Sequence, residues 1–269
     1  MDSTILSMSK KSSSPKTPPK NLGSFIFRSK LAIIIILLNS LVFWFLKTSP
    51  HAQEYLPKLI FYPGNILKGY WWTFLTSGFI HLEWVHFLLN MLAVFVFSYV
   101  LEKHLGFWKT FFIYFGALCI SMIFSSLAYV FFLHKNLVII GASGAVMGLV
   151  SAAMLLDPFC ITWEMILPFP MMVKGWLFIY ADLKGFLNGE TDGTSHLTHL
   201  FGYVSIALLV YFLSKKDHKK LRTGFMINII SLAAVLLLRN YLINRVAEDN
   251  INSKKIEQKK VLNLKATKK

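Results

Sequence analysis

Three groups of polar side chains lie inside long apolar stretches of this sequence, at residues 81–90, 141–148 and 195–202. A polar side chain inside a membrane costs several kcal/mol unless it is paired or hydrated, so such groups are the first candidates for function. They contain serine, histidine and asparagine. Serine hydrolysis requires these types of side chain as nucleophile, as general base and as donors to an oxyanion.

Ser143 is the candidate nucleophile, because the Gly-Ala-Ser-Gly segment 141–144 leaves little side-chain bulk to block a substrate carbonyl group. His199, at the start of another apolar stretch, is the candidate general base. His86 and Asn90 are four residues apart and share one face of a helix. Both could therefore donate to the oxyanion, together with the backbone N–H of Ser143.

The small residues around this serine have a simpler explanation as well. Gly144, Gly148 and Ala152 form a ridge that lets a neighbouring helix approach closely, and Gly-x-Ser-Gly alone is most simply a packing motif. However, the three polar groups lie in the second, fourth and sixth apolar stretches, and each is near the N-terminal end of its stretch. They therefore share one depth in the membrane, which favours a common hydrated pocket over packing alone.

Other hydrolytic chemistries fit the sequence less well. No intramembrane aspartate is placed to complete a triad, so a dyad is expected. Aspartyl chemistry requires two facing intramembrane aspartates, and Asp157, Asp182 and Asp192 all fall at the ends of apolar stretches. Residues 81–86 read His-x-Glu-x-x-His, not His-Glu-x-x-His, and this spacing puts the two imidazoles on different helix faces. No carboxylate ligand is apparent, so the sequence predicts no metal and no cofactor.

The composition indicates a membrane protein. Of the 269 residues 55% are hydrophobic, the mean hydropathy is +0.55, and the apolar residues are gathered in long stretches. The net charge of +15 lies mainly in the tails and one loop, which favours control of membrane orientation over nucleic-acid binding. The apolar stretches are 31–46, 79–101, 107–133, 137–156, 171–187 and 195–213, with a weaker one at 224–243.

We predict an all-α polytopic bundle of six transmembrane helices followed by one additional helix. Its parts are a disordered basic cytoplasmic tail at 1–24, a six-helix core at 25–222, a seventh helix at 223–245 and a basic tail at 246–269. Basic residues in the N-terminal tail and after the sixth stretch indicate that both lie in the cytoplasm. The seventh helix either spans the membrane or lies along its interface, and we favour a span.

The polar groups resemble those of the rhomboid intramembrane proteases over about residues 71–205. The matching pieces, in the family's order, are His81-x4-His86-x3-Asn90, Gly141-x-Ser143-Gly144 and His199-x2-Gly202. The resemblance implies that Ser143 is the nucleophile and His199 its base. It also implies that His86 and Asn90 form the oxyanion hole with the Ser143 N–H, and that His81 holds the first loop near the site.

The sequence departs from the family pattern at three positions. Thr73 stands where the family has a structural arginine in its first loop. Met147 replaces an aromatic residue that packs on the catalytic histidine, and Ile206 replaces a small residue four positions after Gly202. None of these changes removes a catalytic group, so an active enzyme is expected.

The resulting hypothesis is a serine endopeptidase that cuts single-span membrane proteins near the non-cytoplasmic face through an acyl-enzyme. The expected location is a bacterial inner membrane, with the N-terminus in the cytoplasm. The alternative is a non-catalytic rhomboid-like binding module, or a transporter, on the same scaffold.

Overall fold

The computed structural model describes residues 29–161, 169–189, 194–209 and 213–266, with all their side chains except those of Ile66 and residues 246–266. The described chain is helical, as predicted. Its helices α1 to α10 are Lys30–Thr48, Ala52–Leu59, Asn65–Lys68, Thr73–Thr76, Trp84–Leu105, Phe107–Ala128, Ser143–Leu156, Met171–Leu187, His196–Leu209 and Lys215–Ala266. A 3₁₀ turn at Ser77–Phe79 precedes α5, and a π-helical turn at Tyr129–Leu133 extends α6. The predicted tail at 1–24 lies outside the described residues.

Within the part of the chain that the structure describes, four helical segments are long and apolar enough to cross a membrane: Lys30–Thr48, Trp84–Leu105, Phe107–Leu133 and Lys215–Arg245. Helices α7, α8 and α9 are shorter, with 14, 17 and 14 residues. At a rise of about 1.5 Å per residue they reach only about 21–26 Å, less than the roughly 30 Å of a bilayer core. Helix α7 is buried along nearly its whole length, so its neighbours rather than lipid surround it.

Helix α7 begins at Ser143, later than the apolar stretch that predicted it. The residues just before it follow an extended path, in which the Ile139 N–H donates to the Phe61 carbonyl oxygen and the Gly141 N–H to that of Ser77, both at 2.9 Å. Gly141 has φ +98°, which no right-handed helix uses. These bonds to the preceding loop replace helical ones and leave Ser143 in the first turn of α7.

Polar contacts between helices mark the two ends of the bundle. At one end, the starts of α1, α6 and α10 meet the ends of α5 and α7. The contacts there are Leu31 N–H to Glu102 Oε1 at 3.0 Å, His104 Nε2 with Asp157 Oδ2 at 2.9 Å, and Lys109 Nζ to Asp217 Oδ2. The starts of α5, α7 and α9 meet at the opposite end, as the shared depth of the polar groups predicted.

Glycines bring α7 into close contact with the helices on either side. A Cβ added at Gly202 of α9 would lie 2.5 Å from the backbone oxygen of Gly144. A Cβ at Gly148 would overlap Ala117 of α6, and one at Gly144 would overlap Ser121. The predicted close approach at Gly144 and Gly148 is therefore confirmed, and it brings the start of α7 against the start of α9.

Helix α10 is a single element of 52 residues, so the predicted boundaries at 222 and 245 both fall inside it. It docks on the end of α7, where the Asn228 side-chain amide donates to the Met154 carbonyl oxygen at 2.9 Å. Further along, the consecutive residues Leu236, Leu237 and Leu238 are all exposed and together cover most of the helix circumference. An apolar surface on all sides favours a membrane span over an interfacial helix.

Candidate active site

Ser143 and His199 lie at the same end of two helices in contact. Ser143 is the first residue of α7, half-buried, and His199 is the fourth residue of α9, buried. A Cβ at Gly144, next to the serine, would lie 3.4 Å from Thr198, next to the histidine. In the described structure no hydrogen bond joins Ser143 to His199, whose Nδ1 binds another partner. Catalytic hydrogen bonds are often long before substrate binds. The lack of a direct Ser143–His199 bond is therefore compatible with a nucleophile–base pair.

The loop before α5 is bonded directly to the turn that carries the serine. The Ala142 N–H donates to His81 Nε2 at 3.3 Å, and the rings of His81 and His86 are 4.9 Å apart. A Cβ added at Gly141 would lie 2.6 Å from Cε1 and 2.7 Å from Nε2 of His86. Glycine is thus required at position 141 for two reasons. Its φ is positive, and His86 occupies the space that a side chain would need.

His86 and Asn90 share one face of α5, as their spacing predicted. Asn90 is buried, and its amide nitrogen donates to the His86 carbonyl oxygen at 2.9 Å. An amide nitrogen carries two hydrogens, so this bond orients the group and leaves a second donor.

The first loop is anchored without the arginine that Thr73 replaces. The Thr73 hydroxyl donates to the Tyr70 carbonyl oxygen at 2.6 Å within the loop. The Trp72 indole N–H donates to the carbonyl oxygen of Lys58, and the Thr76 hydroxyl to that of Leu59, both at 2.8 Å. Together with the bonds to residues 139–142, these contacts fasten the loop from both sides.

The other two departures lie where α7 and α9 touch. Met147 is buried, and its Cβ would be 2.9 Å from a Cβ added at Gly202. Ile206 is also buried, while Ser205, one residue earlier, faces Gly148 across the helix contact. Beyond Gly202, α9 therefore presents the small residue Ser205 to Gly148 of α7, three positions after the glycine and not four.

The prediction that no aspartate reaches the site is wrong. Asp182 of α8 is buried, and its Oδ1 accepts hydrogen bonds from Nδ1 of His199 at 2.7 Å and from Nδ1 of His196 at 2.9 Å. Its Oδ2 accepts one from the Tyr203 hydroxyl at 2.7 Å. Asp182 lies near the end of the fifth apolar stretch, which finishes on the side where the sixth begins. That shared depth is the sequence signal that could have identified it.

Asp182 also supplies the carboxylate whose apparent absence argued against a metal site. One ligand atom from each of Asp182, His196 and His199 lies within 4.8 Å of the others, a grouping that could hold a metal ion. The 2.7 and 2.9 Å separations between nitrogen and oxygen are those of hydrogen bonds. Two tetrahedral ligands of one zinc ion, each about 2.0–2.1 Å from it, lie roughly 3.3 Å apart, so the geometry favours hydrogen bonding.

Acid should destabilise the loop–serine contact through His81. Burial, with a smaller contribution from His86, lowers the pKa of His81 from 6.5 to about 3. The unfolded chain therefore binds a proton that the folded chain excludes, and stability falls as the pH drops below about 6.5. At about pH 5 the loss is up to about 2 kcal/mol.

We expect the melting temperature of the wild type to fall more between about pH 7.5 and pH 5 than that of His81→Gln. Glutamine can accept the Ala142 N–H through its oxygen but does not titrate. Parallel melting curves for the two proteins would contradict this role of His81.

Comparison with known proteins gives a consistent picture. A family model described as the rhomboid domain matches residues 68–216, more than half of the chain. The chain is 24% identical over 202 residues to a Bacillus subtilis (strain 168) protein that bears the name "Putative rhomboid protease YdcA". The match covers 75% of this chain and 97% of that protein. It is 28% identical over 160 residues to the chloroplastic rhomboid-like protein 11 of Arabidopsis thaliana, covering 54% of this chain and 53% of that protein.

Proposed function

The chain belongs to the rhomboid family and is an integral membrane protein, and from this we propose that it is an intramembrane serine endopeptidase. The observation that carries the proposal is the meeting of Ser143, His199 and His86 at one end of the bundle. They come from the starts of three different helices. Packing alone would not require a serine and two histidines to converge there.

In the proposed reaction the Ser143 hydroxyl attacks a peptide carbonyl carbon of the substrate. His199 takes the hydroxyl proton through Nε2 and later returns it to the leaving amine. Water then attacks the acyl-enzyme, again with His199 as base, and releases Ser143. No metal or cofactor takes part.

The start of α7 suits the oxyanion that forms during this attack. The first intrahelical bond of α7 runs from the Val146 N–H to the Ala142 carbonyl oxygen. The N–H groups of residues 143–145 precede it, and the positive end of the helix dipole lies there. His86, packed against Gly141, and the second amide hydrogen of Asn90 would complete the set of donors.

The proposed substrates are single-span membrane proteins with an extended segment near the outer membrane surface. A helical peptide cannot offer its carbonyl groups readily, because they are bonded within the helix and unpaired groups are costly in lipid. A bacterial inner membrane with the N-terminus in the cytoplasm is the setting that the basic tail favours.

The test is cleavage of a labelled single-span reporter by the purified full chain in lipid vesicles. The fragments are mapped by mass spectrometry, and a serine-directed fluorophosphonate probe is mapped in parallel. We expect one cut near the end of the reporter's span, probe attachment at Ser143 and no effect of a chelator. A binding module would leave both reporter and probe unchanged. Activity that a chelator removes would assign the histidines to a metal instead.

A further inference from the structure

A single buried carboxylate gathers three donors beside the proposed base. Asp182 of α8 accepts Nδ1–H of His199 at 2.7 Å and Nδ1–H of His196 at 2.9 Å on the same oxygen, Oδ1. Its other oxygen accepts the Tyr203 hydroxyl at 2.7 Å. All three donors belong to α9, so the carboxylate joins two helices at one point.

We infer that Asp182 is a positioning residue that holds His199 in the tautomer and orientation needed for catalysis, so that the Ser143–His199 pair works as a triad. This inference rests on the function proposed above. A proton held on Nδ1 by the carboxylate leaves Nε2 unprotonated. Nε2 is then the atom that can accept the proton of the Ser143 hydroxyl.

The Asp182 carboxylate also stabilises the positive charge that forms on His199 during the reaction. When His199 takes the Ser143 proton it becomes an imidazolium with hydrogens on both ring nitrogens, and Asp182 stays ionised opposite it. Three hydrogen bonds stabilise that ionised form in a buried setting. The charge therefore stabilises the transition state more than the resting state, which is the condition for an effect on kcat.

His196 has no place in the Ser143–His199 dyad, and the carboxylate explains its position. Its ring packs so tightly on α8 that a Cβ at Gly185 would overlap the Nε2 and Cδ2 atoms. His196 thus braces Asp182 from one side, while Tyr203 holds it from the other. Among the described residues, His86 of α5 is a further titratable group close enough to His199 to interact with it electrostatically.

The experiment compares Asp182→Asn with Asp157→Asn in the reporter assay. Asparagine keeps the size of the side chain but removes its charge, and it can present an N–H to the histidine, which favours the wrong tautomer. For Asp182→Asn we expect kcat to fall by at least about 100-fold and KM to change by less than about threefold. Probe labelling of Ser143 should slow in parallel with kcat.

Asp157→Asn is the matched control, because Asp157 pairs with His104 at 2.9 Å at the other end of the bundle. Its kcat should stay within about twofold of the wild type even where its melting temperature falls as much as that of Asp182→Asn. Equal losses of kcat in the two variants would reduce Asp182 to a structural role and overturn the inference.

Three further outcomes are decisive. A wild type that does not cut defeats the proposed function itself, whereas an active wild type with an equally active Asp182→Asn defeats only the triad. A chelator that lowers the kcat of the wild type to that of Asp182→Asn would show that the residue binds a metal and does not position His199.

Should Asp182→Asn not fold, Asp182→Glu takes its place. A folded Glu variant that keeps kcat within about tenfold supports the inference, and one as inactive as Ser143→Ala overturns it.

Discussion

Ser143→Ala is expected to lower kcat/KM for the reporter by at least about 10⁴-fold while leaving the fold intact. The variant removes only the hydroxyl oxygen of a half-buried side chain at the start of α7, so little packing is lost. Any cleavage that remains would come from oxyanion stabilisation and substrate binding alone. The measurement is the initial rate in vesicles, with the melting temperature as the check on folding.

Ser151→Ala is the control for this substitution. Ser151 is a buried serine of the same helix, two turns further along and away from the site. Its replacement should change the rate by less than about twofold. A Ser143→Ala protein that still cuts at the wild-type rate would exclude Ser143 as the nucleophile.

Gly202→Ala is expected to reduce both stability and activity, because the added methyl has no room. Its Cβ would lie 2.5 Å from the Gly144 backbone oxygen, an atom that cannot rotate away. Overpacking of this kind costs typically about 1–3 kcal/mol of unfolding free energy. Helix α9 must move away from α7 and take His199 with it, and a displacement of about 1 Å near the reacting atoms costs roughly 100-fold in rate.

The comparison that isolates packing is Ala207→Val on the exposed face of the same helix. It adds more volume than Gly202→Ala but meets no neighbouring helix, so kcat should stay close to that of the wild type. If Gly202→Ala retained both its melting temperature and its kcat, the close helix contact would not be what sets the distance between serine and histidine.

Parts of the site could be predicted because they depend on local spacing. The four-residue interval between His86 and Asn90 puts both on one face of α5 in any helical structure. Likewise, the N-terminal positions of the polar groups in alternate apolar stretches placed them at one end of the bundle. The C-terminal ends of the intervening stretches lie at this same end of the bundle, but no motif spacing in the sequence links Asp182 to His199.

Other features depend on contacts between residues distant in the chain. Helix α7 starts late because Ile139 and Gly141 bond to the first loop. That loop stays anchored with threonine at position 73 because Trp72 and Thr76 reach the carbonyl groups of Lys58 and Leu59. Neither bond is implied by the apolar periodicity of the sequence, which describes each helix separately.

The sequence by itself determined the helical class, the family and the nucleophile–base pair that we propose, since these follow from apolar length and from motif spacing. Only the tertiary structure showed that a buried carboxylate, that of Asp182, accepts a hydrogen bond from the proposed base His199. A carboxylate at a helix end has no fixed role in sequence, because its ionisation and its partners depend on which donors surround it. Here the packing of α8 against α9 surrounds Asp182 with His196, His199 and Tyr203.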